Sequence, residues 1–134
     1  MLLEIDFNSD EALYIQLRNQ IIMGIAASQL CAGDTLPSVR QLAETVGINM
    51  HTVNKAYSVL RSEGYVKLDR RKGTVIAIDI NHEYARRKIA ADLRVILAEA
   101  ICKGVDRSEI HGLVDAIYDR YESEAEKGGN RHDL

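Results

Sequence analysis

The sequence has no tryptophan, one phenylalanine and an aromatic fraction of 5%. An interior with so few rings must be filled with Leu, Ile, Val and Ala, which favours helices. A single proline, Pro37, excludes proline-rich linkers. The two cysteines, Cys31 and Cys102, lie far apart and fit no metal-ligand spacing. That excludes a disulfide scaffold and reads as two reduced thiols. No apolar run is long enough to span a bilayer, and no basic start leads into one, so a cytoplasmic chain without membrane contact is expected. His82, His111 and His132 share no spacing with one another or with the cysteines that would hold a metal. There is no nucleophile–base pair and no phosphate-cradling glycine loop, so neither enzymatic activity nor a cofactor is expected.

Net positive charge is also lacking: the formal total is −3. The total hides a segregation. Residues 38–74 hold seven Lys/Arg against three Asp/Glu, a local +4, whereas residues 79–134 hold nine against twelve, a local −3. A basic surplus confined to one segment is an electrostatic footprint for a polyanion.

The pattern of the chain is mainly helical. Leu13, Leu17, Ile21 and Ile25 recur every four residues, predicting an amphipathic helix from about Asp10 to Ser28, with Asn8 or Ser9 as its cap. The run 31–34, CAGD, reads as a turn. Ser38 with Gln41 three residues on has the spacing of a capping box, opening a second helix that Gly47 ends. Asn49 caps a third helix running to about Glu63. Residues 65–68 and 74–78 are β-prone runs joined by DRRKG, a hairpin. A long helix, 82–103, and a final one capped by Asp106 or Ser108 follow, with fraying expected from residue 127. The expected fold is therefore a winged helix–turn–helix over residues 1–79, three helices plus a β-hairpin wing, and a two-helix C-terminal dimerisation region over 80–134.

Residues 39–60 carry the functional signal. Two helices that cross over a very short turn need a small residue at closest approach, Ala43, a glycine in the turn, Gly47, and apolar flanks, here Leu42, Val46, Ile48, Val53 and Ala56. The third helix nevertheless opens on a polar run. In such a motif that turn meets base edges in the major groove. Asn49, Met50, His51, Thr52 and Asn54 are placed there, with Lys55 reaching phosphate. Ser38 and Arg40 face the DNA backbone from the preceding helix, and Arg70, Arg71, Lys72, Gly73 and Thr74 form a basic wing. A solvated charge run, an ordinary surface arginine and a locally packed His51 are the structural alternatives.

The stretch GDTLPSVRQLAETVGINMHTVNKAYSVLRSEGYV, residues 33–66, resembles the DNA-binding domain of the GntR family of bacterial transcriptional regulators. The family's pattern falls on Gly33, Asp34, Leu36, Pro37, Ser38, Arg40, Leu42, Ala43, Gly47, Thr52, Val53, Ala56, Tyr57, Leu60, Glu63 and Gly64. The short two-helix tail further resembles the YtrA-type subfamily, whose small C-terminal part serves dimerisation and which suggests transporter operons as targets. Two positions depart from the family. Met50 stands where many members carry a base-reading arginine, and Arg71 and Lys72 precede Gly73 where the wing often reads G-x-G-T.

The tail carries an apolar stripe on each helix: Ala85, Ile89, Leu93, Ile96, Leu97 and Ala100, then Ile110, Leu113, Val114, Ile117 and Tyr121. Two helices alone cannot bury two such stripes, so a homodimer is expected. Its partner is a pseudo-palindromic double-stranded DNA operator, with repression as the default outcome. A tail this short is too small to enclose a ligand pocket of roughly 300 Å³. A small-molecule effector would then sit at the dimer interface or between tail and reading domain. The rival reading is a winged-helix protein-interaction module without specific DNA binding, marked by weak salt dependence.

Overall fold

Leu17 and Ile21, one turn apart, are fully buried in the computed structural model, which describes residues 3–129. They belong to α1 (Leu13–Ala26), followed by α2 (Val39–Val46), α3 (Met50–Ser62), β1 (Val66–Asp69), β2 (Gly73–Ile76), α4 (His82–Cys102) and α5 (Arg107–Gly129). This is the mainly helical winged arrangement expected. Two units can be distinguished: one runs to Asp79 and includes the end of α5 from Glu124, and the other spans Ile80–Ser123.

The first unit has one core. Leu42 and Ala43 of α2, Val53, Ala56, Tyr57 and Leu60 of α3, and Val66 and Ile76 of the hairpin close on Leu17 and Ile21, with Leu36 from the α1–α2 connector. Truncating a fully buried leucine such as Leu60 to alanine costs about 2–5 kcal/mol. A half-buried ion pair fastens α1 to the end of α3, with Arg18 Nε and Nη2 donating to the two Glu63 carboxylate oxygens at 2.8 and 3.1 Å.

The caps of α2 and α3 form as expected. Ser38 Oγ accepts from Gln41 N while Gln41 Oε1 accepts from Ser38 N, both at 3.1 Å. Gly47 ends α2 with φ 77° and ψ 38°, a left-handed conformation that side chains resist. Asn49 Oδ1 accepts from His51 N at 2.7 Å and opens α3.

The expected start of α1 needs correction. The helix begins at Leu13, its N-cap is Ala12 with no side-chain cap, and Ser9 Oγ instead accepts from Glu11 N in the preceding turn. A different device holds the lead. Gln16 Oε1 accepts from Asp6 N at 2.9 Å, and its Nε2 donates to the carbonyls of Asp6 and Glu11 at 3.0 Å. One turn on, Gln20 Oε1 accepts from Glu4 N and Nε2 donates to Glu4 O. Two side-chain amides thus serve alternate residues of the lead as a neighbouring strand would, while Leu3 and Ile5 pack on the core.

The strands lie close to their expected places, in the register Val66↔Ile76, Lys67↔Val75, Leu68↔Thr74 and Asp69↔Gly73. The connector adds a piece the sequence did not reveal: Thr35 bridges Val75, and Leu36 N donates to Thr74 O at 2.8 Å. In the second unit Asn81 caps α4 and Asp106, rather than Ser108, caps α5. The helix α5 runs to Gly129, so residues 127–129 of the stretch expected to fray are helical and its remainder lies outside the described residues. His132 lies outside the described residues.

Gln16 is 8% exposed with both polar atoms of its amide hydrogen-bonded. Replacing it with leucine strands three backbone groups and should cost about 1–3 kcal/mol in urea unfolding. Gln20→Leu strands only two backbone groups, in hydrogen bonds more exposed than those of Gln16, and should cost less. Equal, negligible shifts in both would show that the amides do not hold the lead.

Candidate nucleic-acid interface

Three elements carry the residues expected to contact DNA. Ser38 and Arg40 sit at the start of α2, both exposed. Asn49, Met50, His51, Asn54 and Lys55 are exposed at the start of α3, with Thr52 half-buried. Arg70, Arg71 and Lys72 are exposed at the hairpin tip, with Gly73 and Thr74 half-buried. The inward face of α3 is taken up by Val53, Ala56, Tyr57 and Leu60, so the polar residues of its first turns have no room in the core.

Two of these side chains already have local work. Ser38 is committed to its capping box and Asn49 Oδ1 to the amide of His51. The Lys55 ammonium lies 4.0 Å from the centroid of the Tyr14 ring, a cation–π contact that draws it toward α1. A phosphate would have to compete with that ring or approach beside it.

What joins the three elements is the run Leu36–Ser38. Leu36 donates its N–H to Thr74 of β2, Pro37 accepts at its carbonyl from the Tyr57 hydroxyl of α3 at 2.7 Å, and Ser38 opens α2. Three consecutive residues therefore tie the wing strand β2, α3 and α2 to one another. The sequence marks Tyr57 only as a position of the family pattern, because a hydroxyl-to-carbonyl contact over twenty positions leaves no spacing signal. Burial pushes its phenol well above the ordinary tyrosine range, so it remains a donor.

Among the described residues no three His, Cys, Asp or Glu side chains gather as a metal site, and no helix is long and apolar enough to cross a membrane.

Comparison with known proteins agrees with this geometry. Residues 12–76 match the family described as bacterial regulatory proteins, gntR family. The HTH-type transcriptional repressor YtrA of Bacillus subtilis (strain 168) is 30% identical over 135 residues, 98% of this chain and 100% of the relative. The chain belongs to the GntR family of bacterial transcriptional regulators. As a GntR-family regulator it carries a DNA-binding winged helix and is not an enzyme. Its likeness extends to solved structures. One described as a transcriptional antiterminator from Listeria monocytogenes EGD-e has a TM-score of 0.81 at 25% identity, covering 90% of this chain and 92% of that one. YtrA from Sulfolobus acidocaldarius, described as a GntR-family transcription factor, has a TM-score of 0.59 at 37% identity, covering 70% of this chain and 99% of that one.

Tyr57→Phe removes only the hydroxyl and should cost about 0.5–1.5 kcal/mol in denaturant unfolding. The titration gives a second check. A phenol whose folded pKa is raised stabilises the fold below the unfolded value of about 10 and loses that contribution as pH rises further. The stability gap between wild type and Tyr57→Phe should therefore narrow above that pH. A constant gap would contradict burial of the phenol in the folded chain, while an absent gap at neutral pH would contradict the contact with Pro37.

Proposed function

We propose that this GntR-family chain acts in the cytoplasm as a homodimeric, sequence-specific DNA-binding repressor on a pseudo-palindromic operator. The observation that carries the reading is the exposed first turn of α3, held beside the start of α2 and the basic wing by residues 36–38. In this arrangement Asn49, Met50, His51, Thr52 and Asn54 face base edges. Arg40, Arg70, Arg71 and Lys72 meet phosphate, Lys55 joins them by leaving the Tyr14 ring, and Ser38, Gly73 and Thr74 bring backbone close to the duplex.

The second subunit is inferred from the tail. α4 buries none of its residues, and Ile89, Leu93, Ile96 and Leu97 are exposed along it. On α5 Leu113, Val114 and Ile117 are exposed as well. Apolar surface of this extent marks an association site. Ala85, Ala100, Ile110 and Tyr121 complete the proposed dimer interface, which fixes the spacing of two reading helices across a two-fold axis. Between α4 and α5 runs an open groove of about 730 Å³, lined by Leu93, Leu97, Ala100, Ile110, His111, Val114 and Asp115. A second subunit would close it, so an effector bound there would shift the separation of the reading helices.

Fluorescence anisotropy with the chain's own upstream DNA and a scrambled control, across several salt concentrations, tests this reading. Binding should prefer the native fragment, fall steeply with salt and weaken in Arg40→Ala. Ile89→Glu with Ile96→Glu should convert a dimer to monomer in sedimentation and weaken operator binding at least tenfold. Feeble, salt-insensitive binding to both DNAs would favour the protein-interaction reading.

A further inference from the structure

The tip of the wing is built around an acid. Asp69 ends β1 opposite Gly73, and its Oδ1 accepts from the backbone N–H of Arg71 at 2.8 Å and of Lys72 at 2.9 Å. Those two hydrogen bonds, aided by the nearby charges of Lys72 and Lys67, hold the carboxyl below its usual range. A carboxylate beside three exposed cations is out of place on a phosphate-facing surface unless it does something else.

The backbone shows what that is. Within the wing only Gly73 has a left-handed φ, +83°, and a Cβ there would meet nothing within 4 Å, so its conformation rather than space calls for glycine. Arg71 stands where a G-x-G-T wing has its first glycine, and it is not in the left-handed region. A side-chain acceptor that captures the N–H groups two and three residues ahead is another way to close a tight turn.

We infer that Asp69 is a positioning residue of the DNA interface, whose carboxylate pre-forms the wing tip so that Arg70, Arg71 and Lys72 approach phosphate from one backbone conformation. The inference rests on the DNA-binding reading above. The ionised acceptor makes stronger hydrogen bonds than a neutral one and relieves repulsion among the three cations. Its drawback is one negative charge near the duplex. Preorganisation and charge therefore act in opposite directions, and two substitutions separate them.

Asp69→Asn keeps the acceptor and removes the charge, whereas Asp69→Ala removes both. Phosphate contacts act on any duplex, so a random-sequence duplex at low salt serves as the probe, with solvent exchange of the Arg71 and Lys72 amides followed by NMR in the same samples. Asp69→Ala should speed exchange at both amides and weaken binding about threefold to tenfold relative to Asp69→Asn. Asp69→Asn should keep most of the protection and bind at least as tightly as wild type. In wild type the protection should weaken, toward that of Asp69→Asn, only once pH is low enough to protonate the carboxyl that these hydrogen bonds hold ionised. If both variants tighten binding equally, Asp69 is only an electrostatic burden and the inference is wrong. Unchanged exchange in Asp69→Ala also overturns it, whatever the DNA does. If the wild-type chain binds no duplex while exchange responds as expected, the DNA reading itself fails and the cap is a local feature of the turn.

Discussion

The interface depends on where the backbone of residues 36–38 is held. Leu36 is buried and its amide is bound to β2, Pro37 is bound by the Tyr57 hydroxyl, and Ser38 begins α2. A winged helix–turn–helix must present a reading helix, a backbone-facing helix and a wing as one surface, although they are built from separate stretches of chain. Here that demand is met by three adjacent residues, each handing a backbone or side-chain group to a different element. The single proline of the sequence sits in the middle of them, where its fixed φ narrows the conformations the hub can take.

The same requirement explains the composition of α3. Val53, Ala56, Tyr57 and Leu60 are buried and fix the helix by packing, so its first turn is free of core duty and can be polar. The overall negative charge is compatible with this, because the acidic surplus lies in the tail and the lead while the basic surplus lies in residues 38–74. The tail presents the complementary case. Its α4 has apolar residues on its surface and none buried, and the proposed second subunit is inferred from that exposure.

Much of this was legible in the sequence where the cause is local. The capping box at Ser38 and Gln41, the stop at Gly47 and the cap at Asn49 each depend on residues three or fewer apart, and each forms as written. The features that escaped detection are long-range or depend on side-chain amides. Gln16 and Gln20 read as polar positions on an amphipathic helix, yet they hold the lead ten and sixteen residues away. Their hold also explains why neither Asn8 nor Ser9 caps α1: the chain before the helix is drawn across it instead. The Thr35–Val75 bridge joins residues forty apart and is too short to leave an alternating pattern. Lys55 was assigned by its place in the motif, which carries no information about the Tyr14 ring it rests against. Asp69 looked like part of a charged turn, because its role depends on which way two amides point.

The central claim is that the first turn of α3 enters a major groove. Methylation of guanine N7, which lies in that groove, tests it most directly on an upstream fragment selected by the anisotropy measurement. The account predicts interference at N7 positions in two half-sites about one helical turn apart, with interference lost at individual positions when Asn49, His51 or Asn54 is replaced by alanine. Binding that is indifferent to N7 methylation throughout the fragment would contradict it, because α3 would then not be the element that reads the sequence.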